Sequence, residues 1–120
     1  DQNALAEVVS ALLQARPEAA GKANTNGDLP LLNAFYHNAP AEVVLALLQA
    51  RPGAAGKANR NGDLPLHIAL DHNAPAEGAL ALLQARPEAA GKANTNGDLP
   101  LLNAFYHNAP AEVVLALLQA

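Results

Sequence analysis

The chain contains no cysteine, no methionine and no tryptophan. Without cysteine there is no disulfide framework and no thiolate metal site, and cysteine usage gives no redox compartment. Aromatic side chains are confined to Phe35, Tyr36, Phe105 and Tyr106. No apolar run approaches the roughly 20 residues that a membrane-spanning helix needs. No secretory leader is visible, and the cytoplasm is the expected compartment for a natural chain of this kind. The net charge is −4, with no cluster of Lys and Arg, which argues against nucleic acid and anionic membranes as partners. The lack of methionine even at position 1 leads us to expect a chain that was processed, trimmed or taken from something longer.

What is present is mostly alanine and leucine, arranged in repeats. The chain has 120 residues and 51% of them are apolar, enough for one domain whose units cover one another. The stretch Gly62-Asp63-Leu64-Pro65-Leu66-His67-Ile68-Ala69-Leu70 recurs in altered form at Gly27–Phe35 and Gly97–Phe105. Lys22–Gly56 and Lys57–Gly91 differ at eight positions: Thr25/Arg60, Leu32/His67, Asn33/Ile68, Phe35/Leu70, Tyr36/Asp71, Val43/Gly78, Val44/Ala79 and Gly53/Glu88. Ala11–Ala50 and Ala81–Ala120 are identical over 40 residues. The order of copies is therefore A-B-A, and this degree of identity points to recent duplication or design. The domain divides into a leading half copy over 1–21 and copies over 22–56, 57–91 and 92–120.

The spacing predicts helices throughout and no strand. In Asp1–Ala15, Leu5, Val8, Val9, Leu12 and Leu13 recur every three or four residues and form one apolar stripe. Pro17 ends that helix, because proline disfavours helix in the residue before it. Pro17 to Asn26 reads as a connector in which Gly21 offers a reversal and Asn24-Thr25-Asn26-Gly27 a turn. Asp28 and Pro30 open a short helix over Leu29–His37, the acid complementing the helix dipole and the proline needing no N–H in the first turn. Asn38-Ala39-Pro40 breaks it, and Pro40–Ala50 forms a longer helix buried through Val43, Val44, Leu47 and Leu48. The rhythm repeats at Leu64–His72 and Pro75–Ala85, and at Leu99–His107 and Pro110–Ala120. The middle copy carries Gly78 within its long helix at a cost of about 1 kcal/mol relative to alanine. A large neighbouring side chain that needs the space would explain it.

Asn59-Arg60-Asn61-Gly62-Asp63-Leu64-Pro65-Leu66-His67-Ile68-Ala69, followed by a long helix of the type Val43-Val44-Leu45-Ala46-Leu47-Leu48, resembles the ankyrin repeat. The resemblance covers essentially the whole chain. It implies an all-α, ankyrin-like helical solenoid of two-helix repeats joined by turns and loops. Four features depart from the pattern. The period is 35 rather than 33 residues. The usual threonine is Leu29, Leu64 and Leu99. The usual glycine between the helices is Asn38, Asn73 and Asn108, asparagine being the next best residue for a left-handed C-terminal position. The histidine of the motif survives only as His67, with Leu32 and Leu102 in the flanking copies.

The resemblance implies a non-enzymatic scaffold that binds a protein through its turn tips and the exposed face of its short helices. Carried over by position, the binding residues are Thr25, Asn26, Asp28, Tyr36 and His37 in the first full copy. The middle copy offers Arg60, Asn61, Asp63, Asp71 and His72, and the last offers Thr95, Asn96, Asp98, Tyr106 and His107. Tyr36 and Tyr106 are the natural anchors, since aromatics dominate binding hot spots; packing between layers is their other role. Asn24, Asn59 and Asn94 read as turn formers, or as part of a polar ladder facing a ligand. No catalytic residue, cofactor or metal site is expected: Ser10 is the only serine, and His37, His72 and His107 belong to units spaced too widely to share an ion. The alternative function is structural, with chains stacking head to tail through terminal helices that lack a polar outer face.

Overall fold

Proline and asparagine set the helix boundaries in every copy. The computed structural model describes residues 2–120, and α-helix is the dominant element there, with no strand among the described residues. The leading helix α1 spans Gln2–Ala15. The copies then supply α2 (Pro30–Tyr36) and α3 (Ala41–Ala50), α4 (Pro65–Asp71) and α5 (Ala76–Ala85), and α6 (Pro100–Tyr106) and α7 (Ala111–Gln119). Each short helix begins on its proline, after a leucine held extended at φ near −77 to −79°. None of these starts has a side-chain hydroxyl cap, so preset proline geometry does much of that work.

The short helices end in a Schellman arrangement. Asn38 N–H donates to Phe35 O and Ala39 N–H donates to Ala34 O at 2.9 Å. The same pair of bonds recurs at Asn73–Ala74 and Asn108–Ala109. The asparagines sit at φ of 56°, 53° and 56°, so asparagine takes the left-handed position as its chemistry allows.

The connector after each long helix is more ordered than the sequence suggests. Pro17–Gly21, Pro52–Gly56 and Pro87–Gly91 are 3₁₀ helices. Proline opens each, and Ala20, Ala54, Ala55 and Ala89 bury into the core. Gly21 is not the site of a left-handed reversal. That conformation falls on Gly27, Gly62 and Gly97 in the following turns. Gly21 instead leaves room for the Arg51 guanidinium of the next copy, which lies where a Cβ would project, as Arg86 does at Gly56.

The long helices pack in sequence order, α1 on α3, α3 on α5 and α5 on α7, and the short helices do the same, α2 on α4 and α4 on α6. Within each copy the short helix lies against its own long helix. The core runs between these two rows from Ala20 to Leu117 and includes Leu31, Leu32, Phe35, Val44, Leu66 and Leu82. The radius of gyration, 13.5 Å, agrees with the roughly 13.6 Å expected of a compact domain this size. Among the described residues no helix is long and apolar enough to cross a membrane.

Gly78 sits at the contact between α5 and α3. A Cβ built there would lie 3.6 Å from Val44 Cγ1 and 3.8 Å from Phe35 Cε1, which is ordinary van der Waals contact. Room therefore exists for one methyl group, which corrects the expectation that the neighbour needs all of that space. Gly78→Ala should raise stability by about 0.5–1 kcal/mol through helix propensity. Gly78→Val should lower it by about 1–3 kcal/mol through overpacking. Urea denaturation of the two variants against the parent measures both, and a destabilised alanine variant would refute this reading of the contact.

Candidate functional site

Each turn before a short helix is built by one asparagine. Asn24 Oδ1 accepts hydrogen bonds from the N–H of Asn26 and of Asp28 at 2.9 and 3.0 Å. Asn24 N–H donates to Asp28 O, and Gly27 N–H donates to Asn24 O. Asn59 and Asn94 make the same set in their turns. A side-chain acceptor that takes two backbone donors fixes the turn locally, and a glycine at positive φ lets the chain reverse. Three loops of the same shape follow.

The loops are also tied to one another. Arg60 Nη2 donates to Asn26 Oδ1 at 3.2 Å. Thr95 Oγ1 donates to Asn61 O at 2.6 Å, and Thr95 N–H reaches the same oxygen at 3.3 Å. Beneath the tips, Asn59 Nδ2 donates to Tyr36 Oη at 3.0 Å, whereas its equivalent, Asn94 Nδ2, donates to Asp63 Oδ1 at 2.8 Å. The turn-forming asparagines thus do a second task that their sequence pattern did not reveal. They join neighbouring copies, and the acceptor changes with the copy that precedes them.

Between the middle and last copies the buried contacts are more polar. His67 is fully buried. Its Nδ1 accepts the N–H of Leu64 at 3.0 Å, which caps its own helix, and its Nε2 lies 3.1 Å from Asp98 O. With Nδ1 an acceptor, the proton resides on Nε2 and is donated to the Asp98 carbonyl. Asp71 Oδ1 accepts from Asn103 Nδ2 at 2.7 Å and lies 3.3 Å from His107 Nε2. Between the first and middle copies, Tyr36 instead meets His72 edge-on, with ring centroids 5.7 Å apart.

These contacts divide the residues expected to bind a partner. Thr25, Asn26, His37, Arg60, Asn61, His72, Thr95, Asn96 and Tyr106 are exposed. Tyr36, Asp63, Asp71, Asp98 and His107 are half-buried, and Asp28 is buried. The three aspartates before the short helices lie outside the first helical turn. Asp63 is engaged with Asn94. A cleft of about 210 Å³ lies at the tips, bounded by Asn26, Asp28, Tyr36, Asn59, Arg60 and Asn61. The outcome is a rigid polar edge, and its exposed groups are amides, hydroxyls, imidazoles and one guanidinium.

Asn103 and Asp71 were the pair hardest to see beforehand. Their signal lay in the differences between copies: where the flanking copies carry Asn and Tyr, the middle copy carries Ile68 and Asp71. Read across neighbours rather than within one copy, the asparagine of the last unit faces the aspartate of the middle one.

No protein-family model matches the chain, and no curated protein matches its sequence.

His67→Leu tests the buried bridge. Leu32 occupies the equivalent position in the first copy and is fully buried, so leucine fits the site sterically. The variant forfeits two hydrogen bonds at roughly 1 kcal/mol each and should lose about 2 kcal/mol of stability. Chemical denaturation measures it, and a loss below about 0.5 kcal/mol would show that the bridge adds little beyond its packing.

Proposed function

We propose that the chain is a non-enzymatic protein-interaction scaffold, an ankyrin-like solenoid of two-helix repeats that engages a protein partner through its turn tips and the exposed ends of its short helices. The observation that carries this reading is the set of three like-shaped tips tied edge to edge by Arg60–Asn26 and Thr95–Asn61. Their backbone is fixed by asparagine side chains while Thr25, Asn26, Arg60, Asn61, Thr95 and Asn96 stay exposed. A surface held rigid before contact loses little conformational entropy on binding, which is how preorganised loops gain affinity.

The tips differ from one another mainly by Thr25, Arg60 and Thr95. Arg60 thus places a planar cationic donor at the centre of the edge, suited to a carboxylate or carbonyl of the partner. Tyr106, 67% exposed, adds an aromatic contact at one end. Tyr36 contributes less, because its ring packs on His72 and its hydroxyl accepts from Asn59.

A photoreactive amino acid at position 60, compared with one at Gln84 on the long-helix side, tests the proposal in extracts of the source cell. We expect an adduct from position 60 that excess unlabelled chain competes away, that Arg60→Glu chain fails to compete, and that position 84 does not give. Adducts only from position 84 would place the contact on the long helices and refute the tip surface.

A further inference from the structure

The structure assigns the cleft between the first two tips to an ammonium group, brought by a lysine side chain of the protein partner and received by Asp28. This rests on the tip surface proposed above and names the chemistry that the partner supplies to it.

Of the six residues that bound the cleft, Asp28 is the one that is buried, at 8% exposure. Tyr36 and Asn59 are half-buried and form the walls, while Asn26, Arg60 and Asn61 are exposed at the rim. Asp28 is therefore the floor. Its Oδ1 is buried and accepts no hydrogen bond from the described residues. The neighbouring acceptors are already engaged. Asn26 Oδ1 accepts from Arg60, Tyr36 Oη accepts from Asn59 Nδ2, and Asn59 Oδ1 accepts the N–H groups of Asn61 and Asp63. The unmet need of the cleft is thus a donor for one carboxylate, and a buried charge left without one is costly.

The next boundary shows which donor Asp28 lacks. Asp63, its equivalent in the middle copy, accepts from Asn94 Nδ2 at 2.8 Å. At the first boundary the same amide, Asn59 Nδ2, turns to Tyr36 Oη instead. Tyr36 stands where the middle copy has Asp71, so this one difference draws off the donor that Asp28 would receive. Arg60 does not replace it, because its Nη2 is held by Asn26.

The chemistry of the cleft selects the occupant. A divalent metal ion takes several oxygen ligands, and Asp28 is the only carboxylate bounding the cleft. A guanidinium brings a planar fork suited to both oxygens of a carboxylate, and Asp28 Oδ1 is buried. An ammonium is a compact point charge that needs a single oxygen. Rotation of the carboxylate exchanges its two oxygens, so either can be presented. The lysine stem has Tyr36 to lie against, and an aromatic wall favours a cation. At about 210 Å³ the cleft takes a side chain rather than a helix or strand. Arg60 at the rim keeps its role toward a carbonyl or carboxylate, so the partner carries a lysine with an acceptor beside it.

The test titrates the full chain with Nα-acetyl-lysine methylamide and follows the amide signals of Asp28, Asn59 and Asn61 by nuclear magnetic resonance at constant ionic strength. We expect saturable shifts, with the norleucine analogue and methylammonium each binding at least tenfold more weakly. Asp28→Asn should abolish the shifts, and Glu88→Gln, which removes the same charge outside the cleft, should leave them unchanged. Arg60→Gln should bind the lysine probe at least as tightly as the parent, since it removes a like charge. If Asp28→Asn fails to fold, the three probes on the unaltered chain still decide. Equal binding of lysine and norleucine probes, or no saturable shift with any probe, would overturn the proposal. Equal binding of methylammonium would overturn the side-chain occupant in favour of a free ammonium ion. The cross-link at position 60 separates this inference from the tip surface itself. An adduct that Asp28→Asn chain competes away as well as the parent does would overturn the lysine while the tip surface stands.

Discussion

The convergence of Phe35 and Val44 on Gly78 is the contact on which the arrangement of copies depends. A glycine inside a helix costs about 1 kcal/mol relative to alanine. Full burial of a phenylalanine or valine side chain contributes roughly 1.5–3 kcal/mol each. Phe35 and Val44 are 2% and 0% exposed, so the burial at this contact exceeds the propensity cost of the glycine, a cost the burial does not itself require because an alanine also fits. The same logic runs through the other substitutions in the helices. Ala79 of α5 and Val113 of α7 are both buried, and they line a shared cleft of about 330 Å³ between the middle and last copies.

Polar contacts add register to that packing. Apolar layers can slide, whereas a hydrogen bond with a buried acceptor has one geometry. The His67 bridge from Leu64 N–H to Asp98 O joins the start of one short helix to the turn before the next. Asn94 to Asp63 and Asn103 to Asp71 hold the same two units at the turn and along the helix. The preceding boundary uses different chemistry: Asn59 to Tyr36, Tyr36 against His72, and leucine at the histidine position. Two kinds of boundary follow from copies that differ at few positions, because each difference is felt by the neighbouring unit as well as its own.

Much of the local structure was legible in the sequence. Pro30, Pro65 and Pro100 mark the helix starts, since proline lacks only a donor that the first turn does not use. Asn38, Asn73 and Asn108 mark the stops, because asparagine tolerates a left-handed backbone. The 3₁₀ helices at Pro17–Gly21 and its equivalents were not legible, because a Pro-Glu-Ala-Ala-Gly stretch carries no apolar periodicity and gains its order from alanines docked on the core. At the tips the turn residues were identified correctly as turn residues. Their second bonds to neighbouring copies were hidden, because a single Asn can satisfy its own loop with the carbonyl oxygen and still offer its amide hydrogens elsewhere.

By itself, the sequence determined much of what depends on residues a few positions apart: the starts and stops of the α-helices, turn chemistry, the apolar stripe of each helix and the alternation of large and small side chains. Tertiary structure alone decided which of those stripes are covered. The identical stretches Ala11–Ala50 and Ala81–Ala120 make the point directly, with Phe35 enclosed and Phe105 open. Local conformation is a property of the residues themselves, but burial is a property of what lies beside them, and forty identical residues with different neighbours become both an interior and a surface.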